Sequence, residues 1–427
     1  MYGLRRWWGG VLLGATMLAC GSVAGESELL AAEPQTNPEA PEQEVSSQHR
    51  KKPLPEPRPL RSGNVAVAYG GGKYLVAWED VREGNVYATR VKPDGTLLDP
   101  EGIRLNPLPG AGGQPAIAYD GTNFVVVWDT GDGASGIRVS PRGEVIGELF
   151  EVFYSGDVFG PVDIACGREM CLVTYEVTAD DADDIWMTRM RPDGTVLETR
   201  SLSDSDRDAD SAAVAWNGRE FLVVWGDTRG GDLDARNIHG ARVLPDGTIL
   251  DPGGRPLVSV PGDQRTPDVV WTGRRFLVVW SDNRGGDYDV YGARVRSDGR
   301  VEDPDGLPIS TAAGDQLFPS VAHHGPKSLV VWGDSRDGAP RVWGARVTEY
   351  GEVKDPSGFL ISSGDFAEES TPEVAYGADR FLAVYEGTGS EGGYTLAARV
   401  KHDTRVLDSP ARVLTRSTEE PEVESTR

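Results

Sequence analysis

Apolar runs closed by an aromatic residue return along most of the chain, as in Tyr74-Leu75-Val76-Ala77-Trp78, Phe276-Leu277-Val278-Val279-Trp280 and Phe381-Leu382-Ala383-Val384-Tyr385. None of them alternates apolar with polar, as a strand with one wet face does. A continuous run suits a strand covered on both faces. Shorter mixed segments flank each run, and Gly, Pro, Asp and Asn punctuate the spaces between, as hairpin turns require. No segment here carries a helical period.

The closing aromatics are Trp78, Trp128, Tyr175, Trp225, Trp280, Trp332 and Tyr385, spaced about 51 residues apart, within the range of repeat architectures. A second marker keeps step with them: Arg90, Arg138, Arg189, Arg242, Arg294, Arg346 and Arg399, usually inside a segment like Tyr291-Gly292-Ala293-Arg294-Val295. The fifth copy predicts four strands: 267–271, 276–280, 290–295 and a fourth running toward Ile309. Asp298-Gly299 makes the third-to-fourth turn because Asp-Gly readily takes positive φ. The same pair returns at Asp94-Gly95, Asp193-Gly194 and Asp246-Gly247. Four strands per unit and seven units predict an all-β seven-bladed β-propeller with four antiparallel strands per blade. It covers residues 63–417, with blades at 64–113, 114–160, 161–210, 211–266, 267–318, 319–371 and 372–417. A β-solenoid is the alternative, but it has shorter coils and lacks four hairpin-linked strands per repeat.

The amino terminus changes the picture from fold to address. Arg5 and Arg6 precede an apolar stretch, Val11–Ala19, too short to span a bilayer comfortably, so residues 1–19 read as a signal peptide. Met17-Leu18-Ala19-Cys20 resembles the bacterial lipobox, which makes Cys20 the expected lipidation site; an ordinary signal peptide with an incidental Cys is the alternative. Residues 20–62 are rich in Pro, Glu, Gln and Ser with no apolar period, and residues 418–427 are similar. Both read as disordered, the first as a tether from membrane to propeller.

Charge narrows the partners. Lys and Arg number 43 against 67 Asp and Glu, a net charge of −24. That excludes a surface built to coat nucleic acid. Five His residues leave little for His-based catalysis or zinc.

The repeat also explains two cysteines. The last residue of the first strand and the first of the second form the pairs Tyr69/Tyr74, Tyr119/Phe124, Trp216/Phe221, Trp271/Phe276 and Tyr376/Phe381. Such partners face each other across a hairpin. In the third copy they are Cys166 and Cys171, an expected disulfide in an exported protein, the alternative being two buried thiols.

Four copies carry Trp-x-Asp-x-Arg after the second strand: Trp78/Asp80/Arg82, Trp225/Asp227/Arg229, Trp280/Asp282/Arg284 and Trp332/Asp334/Arg336. The second, third and seventh copies have lost it. In a propeller this loop shares one face with the link between blades, which holds segments such as Gly314-Asp315-Gln316. Two readings stand. Asp accepts turn N–H groups while Arg pairs with it or with the next blade. Or the eight Asp and Arg residues form a charged ring that binds a partner, a sugar or a cation. No cofactor is expected. Calcium is the one metal the loops suggest, through the oxygen ligands of Asp282–Asp289, although Arg284 stands where calcium would want another oxygen.

Units such as WSDNRGGDYDVYGARV, followed by DGxxxDPxGxPIS, resemble the repeats of β-propeller lipoproteins and secreted proteins common in myxobacteria and related bacteria. The resemblance spans roughly 64–417. It implies an exported propeller, mostly of unassigned activity. Trp128-Asp129 does not make this a WD40 protein: the period is longer and the Gly-His partner is absent. Sialidase-type Asp boxes are absent too.

The expectation is a lipid-anchored, monomeric, non-enzymatic binding or scaffold protein at the bacterial outer membrane, with a protein or polysaccharide partner. It would touch the membrane only through its anchor. Two alternatives remain: a carbohydrate-active propeller enzyme, glycosidase or lyase, working through paired carboxylates, and an envelope-assembly lipoprotein. No catalytic residue is assigned. The degenerate loop face is where function is expected.

Overall fold

The computed structural model describes residues 65–416, apart from the loop segments 81–83, 108–111, 155–159, 180–181, 204–207, 230–234 and 390–391. Cys20, the signal peptide, the tether, the tail and Arg82 lie outside the described residues.

The chain forms seven four-stranded antiparallel sheets, each made of four consecutive strands. It is a seven-bladed β-propeller, as the repeat predicts. Within a blade the strands are called a to d from the axis outward. In blade 5 they are Gln264–Trp271, Phe276–Asp282, Asp289–Val295 and Leu307–Ser310. The a strands of successive blades touch around the axis, and those of blades 1 and 7 touch as well, which closes the ring. No strand is exchanged at that seam, since blade 7 takes all four of its strands from residues 368–416. Side chains bridge it instead: the Tyr74 hydroxyl donates to the carbonyls of Gly377 at 2.6 Å and Arg380 at 2.9 Å.

The doubly apolar b strands are explained by stacking. In blade 4, Phe221, Val223 and Trp225 pack with Leu172 and Met187 of blade 3. Leu222 and Val224, on the other side, pack with Val269 and Val278 of blade 5. The core therefore consists of blade interfaces, and each b strand serves two of them. Burial of such large side chains on both faces is the dominant stabilising term.

The second repeated marker works at these interfaces. Arg90, Arg242, Arg294, Arg346 and Arg399 each pair through Nε with the Asp nine residues on, at 2.7 to 2.8 Å. The Nη1 group of several then donates to a carbonyl in the c–d turn of the next blade, as from Arg346 to His402 at 2.8 Å and from Arg242 to Ser297 at 3.1 Å. Arg399 reaches Pro93 across the closing seam. A planar guanidinium can hold a carboxylate and a neighbouring carbonyl at once, which an ammonium does less well.

Cys166 and Cys171 face each other across the a–b hairpin of blade 3 and are joined as a disulfide, with Cα atoms 4.1 Å apart. In blade 6 the same positions hold a polar pair, His323 Nδ1 and Ser328 Oγ at 3.0 Å.

The a strand differs from the sequence reading. In blade 5 it begins at Gln264, three residues before Pro267, and continues through a bulge between Arg265 and Asp268. Blades 4, 6 and 7 repeat the bulge, with positive φ at Ser211, Thr266, Phe318 and Thr371. Proline follows in three of the four, at Pro267, Pro319 and Pro372. A proline inside a run argues for a strand boundary, but an edge strand facing the axis has no ladder partner for that N–H to reach. The bulge absorbs the proline and the strand goes on.

Candidate functional site

One face of the ring carries the b–c loops and the links from d to the next a. The Trp-x-Asp-x-Arg residues meet there, but inside each blade. Asp282 is fully buried and accepts from Trp280 Nε1 at 2.9 Å, from Arg284 Nε at 2.9 Å and from Arg284 Nη2 at 2.6 Å. Arg284 then donates to the carbonyl of Asp305 at 2.7 Å and lies 4.1 Å over the Tyr291 ring. Asp334 and Arg336 repeat this with Trp332, the Ser357 carbonyl and the Trp343 ring. Asp227 and Arg229 repeat it with Trp225 and the Gly253 carbonyl. Asp80 is buried at the end of strand b in blade 1. The motif thus locks the b–c loop of its own blade. The structure does not gather its side chains into one cluster.

The links between blades are tied down as well. Asp315 accepts from the Tyr288 amide at 3.0 Å, and Asp263 accepts from Arg265, from the Tyr288 hydroxyl and from the Arg236 amide. The acid-rich loop of blade 5 is used in the same way. Asp287 accepts from the Gly314 amide at 3.1 Å, while Asp289 lies directly across the ladder from Asp282. Burial, followed by the charges of Asp282 and Asp287, pushes the Asp289 carboxyl up to about 6. Among the described residues no three His, Cys, Asp or Glu side chains are grouped as a metal site needs.

The variable position inside the motif, the x between Trp and Asp, behaves differently. It is Gly226, Ser281 and Gly333 in blades 4, 5 and 6, but Glu386, Glu79, Asp129 and Glu176 in blades 7, 1, 2 and 3. These four adjacent blades place a partly buried carboxylate one residue past the buried aromatic. In blades 2 and 3 room is made by glycines just before strand a. A Cβ on Gly113 would stand 2.1 Å from Asp129 Oδ2, and one on Gly160 would stand 2.9 Å from Glu176 Oε2. In blade 4 the roles are exchanged: the a strand supplies Asp210, and Gly226 of strand b leaves the space. Asp210 pairs with Arg236 at 2.6 Å.

Five of the seven blades therefore carry a carboxylate at this level of the loop face. Burial, then the charges of Asp129, Glu386 and Asp80, push the Glu79 carboxyl up to about 7. Burial likewise raises Asp129, against the amides of Gln114 and Gly131 that donate to it. Like charges that close disfavour one another's ionised forms.

Asp129 holds the amide of Gln114, and Gln114 lines a cavity on the propeller axis of about 130 Å³. The a strands supply its acidic groups: Asp163, Asp268 and Glu373, in blades 3, 5 and 7. The first two stitch neighbouring a strands. Asp163 accepts from its own Ile164 amide and from Val214 of blade 4, both at 2.8 Å. Asp268 accepts from Val269 at 2.7 Å and from Val321 of blade 6 at 2.8 Å. Glu373 accepts from Ser320 Oγ at 3.0 Å.

The arc was legible in principle. The repeat alignment places Glu79, Asp129, Glu176 and Glu386 in one column. The recurring Trp, Asp and Arg hide it, because a column that varies reads as unconstrained.

No family model matches the sequence, and no curated protein matches it. Solved structures with a similar course include the β-propeller domain of the Trilobed protease from Pyrococcus furiosus, at 9% identity over 83% of this chain and 96% of that one, with a TM-score of 0.48. The acylaminoacyl peptidase of Pyrococcus horikoshii is similar at 10% identity over 83% of this chain, with a TM-score of 0.47; the chain spans 53% of that peptidase. TolB from Acinetobacter baumannii is similar at 12% identity over 80% of this chain and 77% of that one, with a TM-score of 0.38.

Proposed function

We propose that the protein is a non-enzymatic binding protein of the bacterial envelope, exported and tethered through Cys20, and that it receives its partner at the carboxylate-lined mouth of its loop face. The single observation behind this reading is the column of carboxylates on blades 7, 1, 2, 3 and 4. It breaks the sevenfold repeat at one place while the rest of the loop face is occupied in holding itself together. Departure from the repeat where stability does not ask for it marks a site of use.

Binding is favoured over hydrolysis by the way the axial acids are engaged. A glycosidase needs one carboxyl group free to deliver a proton and another to attack or to activate water. Asp163 and Asp268 instead hold backbone amides of two blades each, bonds that occupy their oxygens and fix their orientation.

The test uses the soluble propeller and a variant with Glu79→Gln, Asp129→Asn and Glu386→Gln together. Both are passed over immobilised envelope polysaccharide and membrane-protein fractions by biolayer interferometry. Loss of at least about tenfold in affinity is expected for the variant, equal to roughly 1.4 kcal/mol. Binding unchanged by the triple substitution, or release of reducing ends from the polysaccharide, would overturn the proposal. Tethering has its own expected result: Cys20→Ala should move the protein from the membrane fraction to the soluble one.

A further inference from the structure

The axial cavity narrows the choice of partner, and the inference rests on the binding reading above. We infer that the cavity seats one cationic head group, a guanidinium or primary ammonium, presented by a side chain of a protein partner.

Three independent features of the lining lead there. The first is an imbalance of donors and acceptors. Pro115, Pro161, Pro319 and Pro372 all line the cavity and offer no N–H, while Asp163, Asp268 and Glu373 bring carboxylates. No Lys, Arg or His lies among the lining residues. The wall accepts hydrogen bonds far more readily than it donates them, so its complement is a group that only donates. Guanidinium and ammonium are the two side-chain groups of that kind.

The second is a hydroxyl without a partner. Thr371 lines the cavity, is 5% exposed, and its Oγ1 makes no hydrogen bond. Its counterpart in blade 5, Thr266, bonds to Ser281 Oγ at 3.2 Å. Blade 7 has Glu386 in place of that serine. A buried hydroxyl left unpaired is destabilising, and a donor in the cavity offsets this if the Thr371 side chain turns toward it.

The third is size. The cavity holds about 130 Å³. A protein cavity of about 150 Å³ takes benzene, six heavy atoms. A guanidinium with its first methylene fits this limit, whereas a pyranose with its hydroxyls is about twice too large. The preset carboxylates add little reorganisation on binding. The acids of the mouth above them raise the local concentration of cations, an effect that falls with salt.

The experiment follows the thermal unfolding of the intact propeller with methylguanidinium or butylammonium at up to about 10 mM, against sodium chloride and glycerol at equal concentration. A saturable rise in Tm with the two organic cations alone is expected. Glu373→Gln should raise the half-saturating concentration at least about tenfold, and Thr371→Val, which preserves shape, several-fold. An acetylated pentapeptide with one central arginine should bind at least about ten times more tightly than methylguanidinium if a partner's side chain is the source. A peptide no tighter than the free cation overturns the protein source. Displacement of the cation by a neutral disaccharide overturns the inference in favour of a glycan. No saturable response to either cation overturns it outright, and does so without touching the binding proposal if the mouth variant still loses its partner.

Discussion

Replacing Asp282 with alanine should destabilise the propeller by about 2–4 kcal/mol, although the residue sits in a loop-face motif. Its carboxylate is fully buried and holds the Trp280 indole and the Arg284 guanidinium together. Truncation strands a buried indole N–H and a cation that has lost its counter-ion. Loss of one partner of such a pair is far costlier than loss of an exposed bridge. Arg284 is 20% exposed and regains some water, which places the figure below the largest known cases. Asp334→Ala should behave alike, since Trp332 and Arg336 repeat the contacts. Urea unfolding measures both. If each variant lost less than about 0.5 kcal/mol, within the range of ordinary surface changes, the motif would not be a lock.

Glu79→Gln should have the opposite sign, with a gain that grows between about pH 4.5 and 7. The folded protein holds the Glu79 carboxyl up to about 7, where a free glutamate titrates near 4.5. Between those values the folded state binds more protons than the unfolded chain, so stability falls as pH rises through the window. The contribution of Glu79 is fully present below pH 4.5 and lost above about 7. Moving a titration by one pH unit is equivalent to about 1.4 kcal/mol, and partial exposure reduces the total to about 1–2 kcal/mol at pH 8. Glutamine carries no charge and escapes that loss. The variant should therefore be more stable than the parent at pH 8 by that amount and nearly equal to it at pH 5. An equal gain at both values would point to packing and would discard the electrostatic account of the mouth.

These two positions are neighbours in pattern, and they divide what could be read early from what could not. The repeated Asp announced itself by recurrence, and its role as a turn acceptor paired with Arg was one of the two readings open from the residues alone. The structure adds the indole of the same motif as a third partner. The c-strand arginines recurred as plainly, and seven copies in register already suggested pairing between blades, which Arg346 and Arg399 make. The Glu79 column was equally present in the sequence but carried no sign of proximity. That Glu79 feels Asp129 and Glu386, far from it in the chain, is a property of ring closure, which no local pattern contains.

Strand limits divide in the same way. The doubly apolar b strands and the Asp-Gly turns needed only local rules, because hydrophobic burial and positive φ act over a few residues. The a strands of blades 4 to 7 run through a bulge that local rules read as a boundary, for Pro267, Pro319 and Pro372 are tolerated only where an axis lies on the unpaired side.

By itself, then, the sequence determined the number of blades, four strands in each, the residues that fill the interfaces and the facing of Cys166 and Cys171 across a hairpin. Each follows from a pattern repeated seven times. The tertiary structure alone decided which acids meet. Asp163 reaches the amide of Val214, Asp268 that of Val321, and Glu79 feels Asp129 and Glu386, because closing the ring brings distant segments within the range of hydrogen bonds and Coulomb forces.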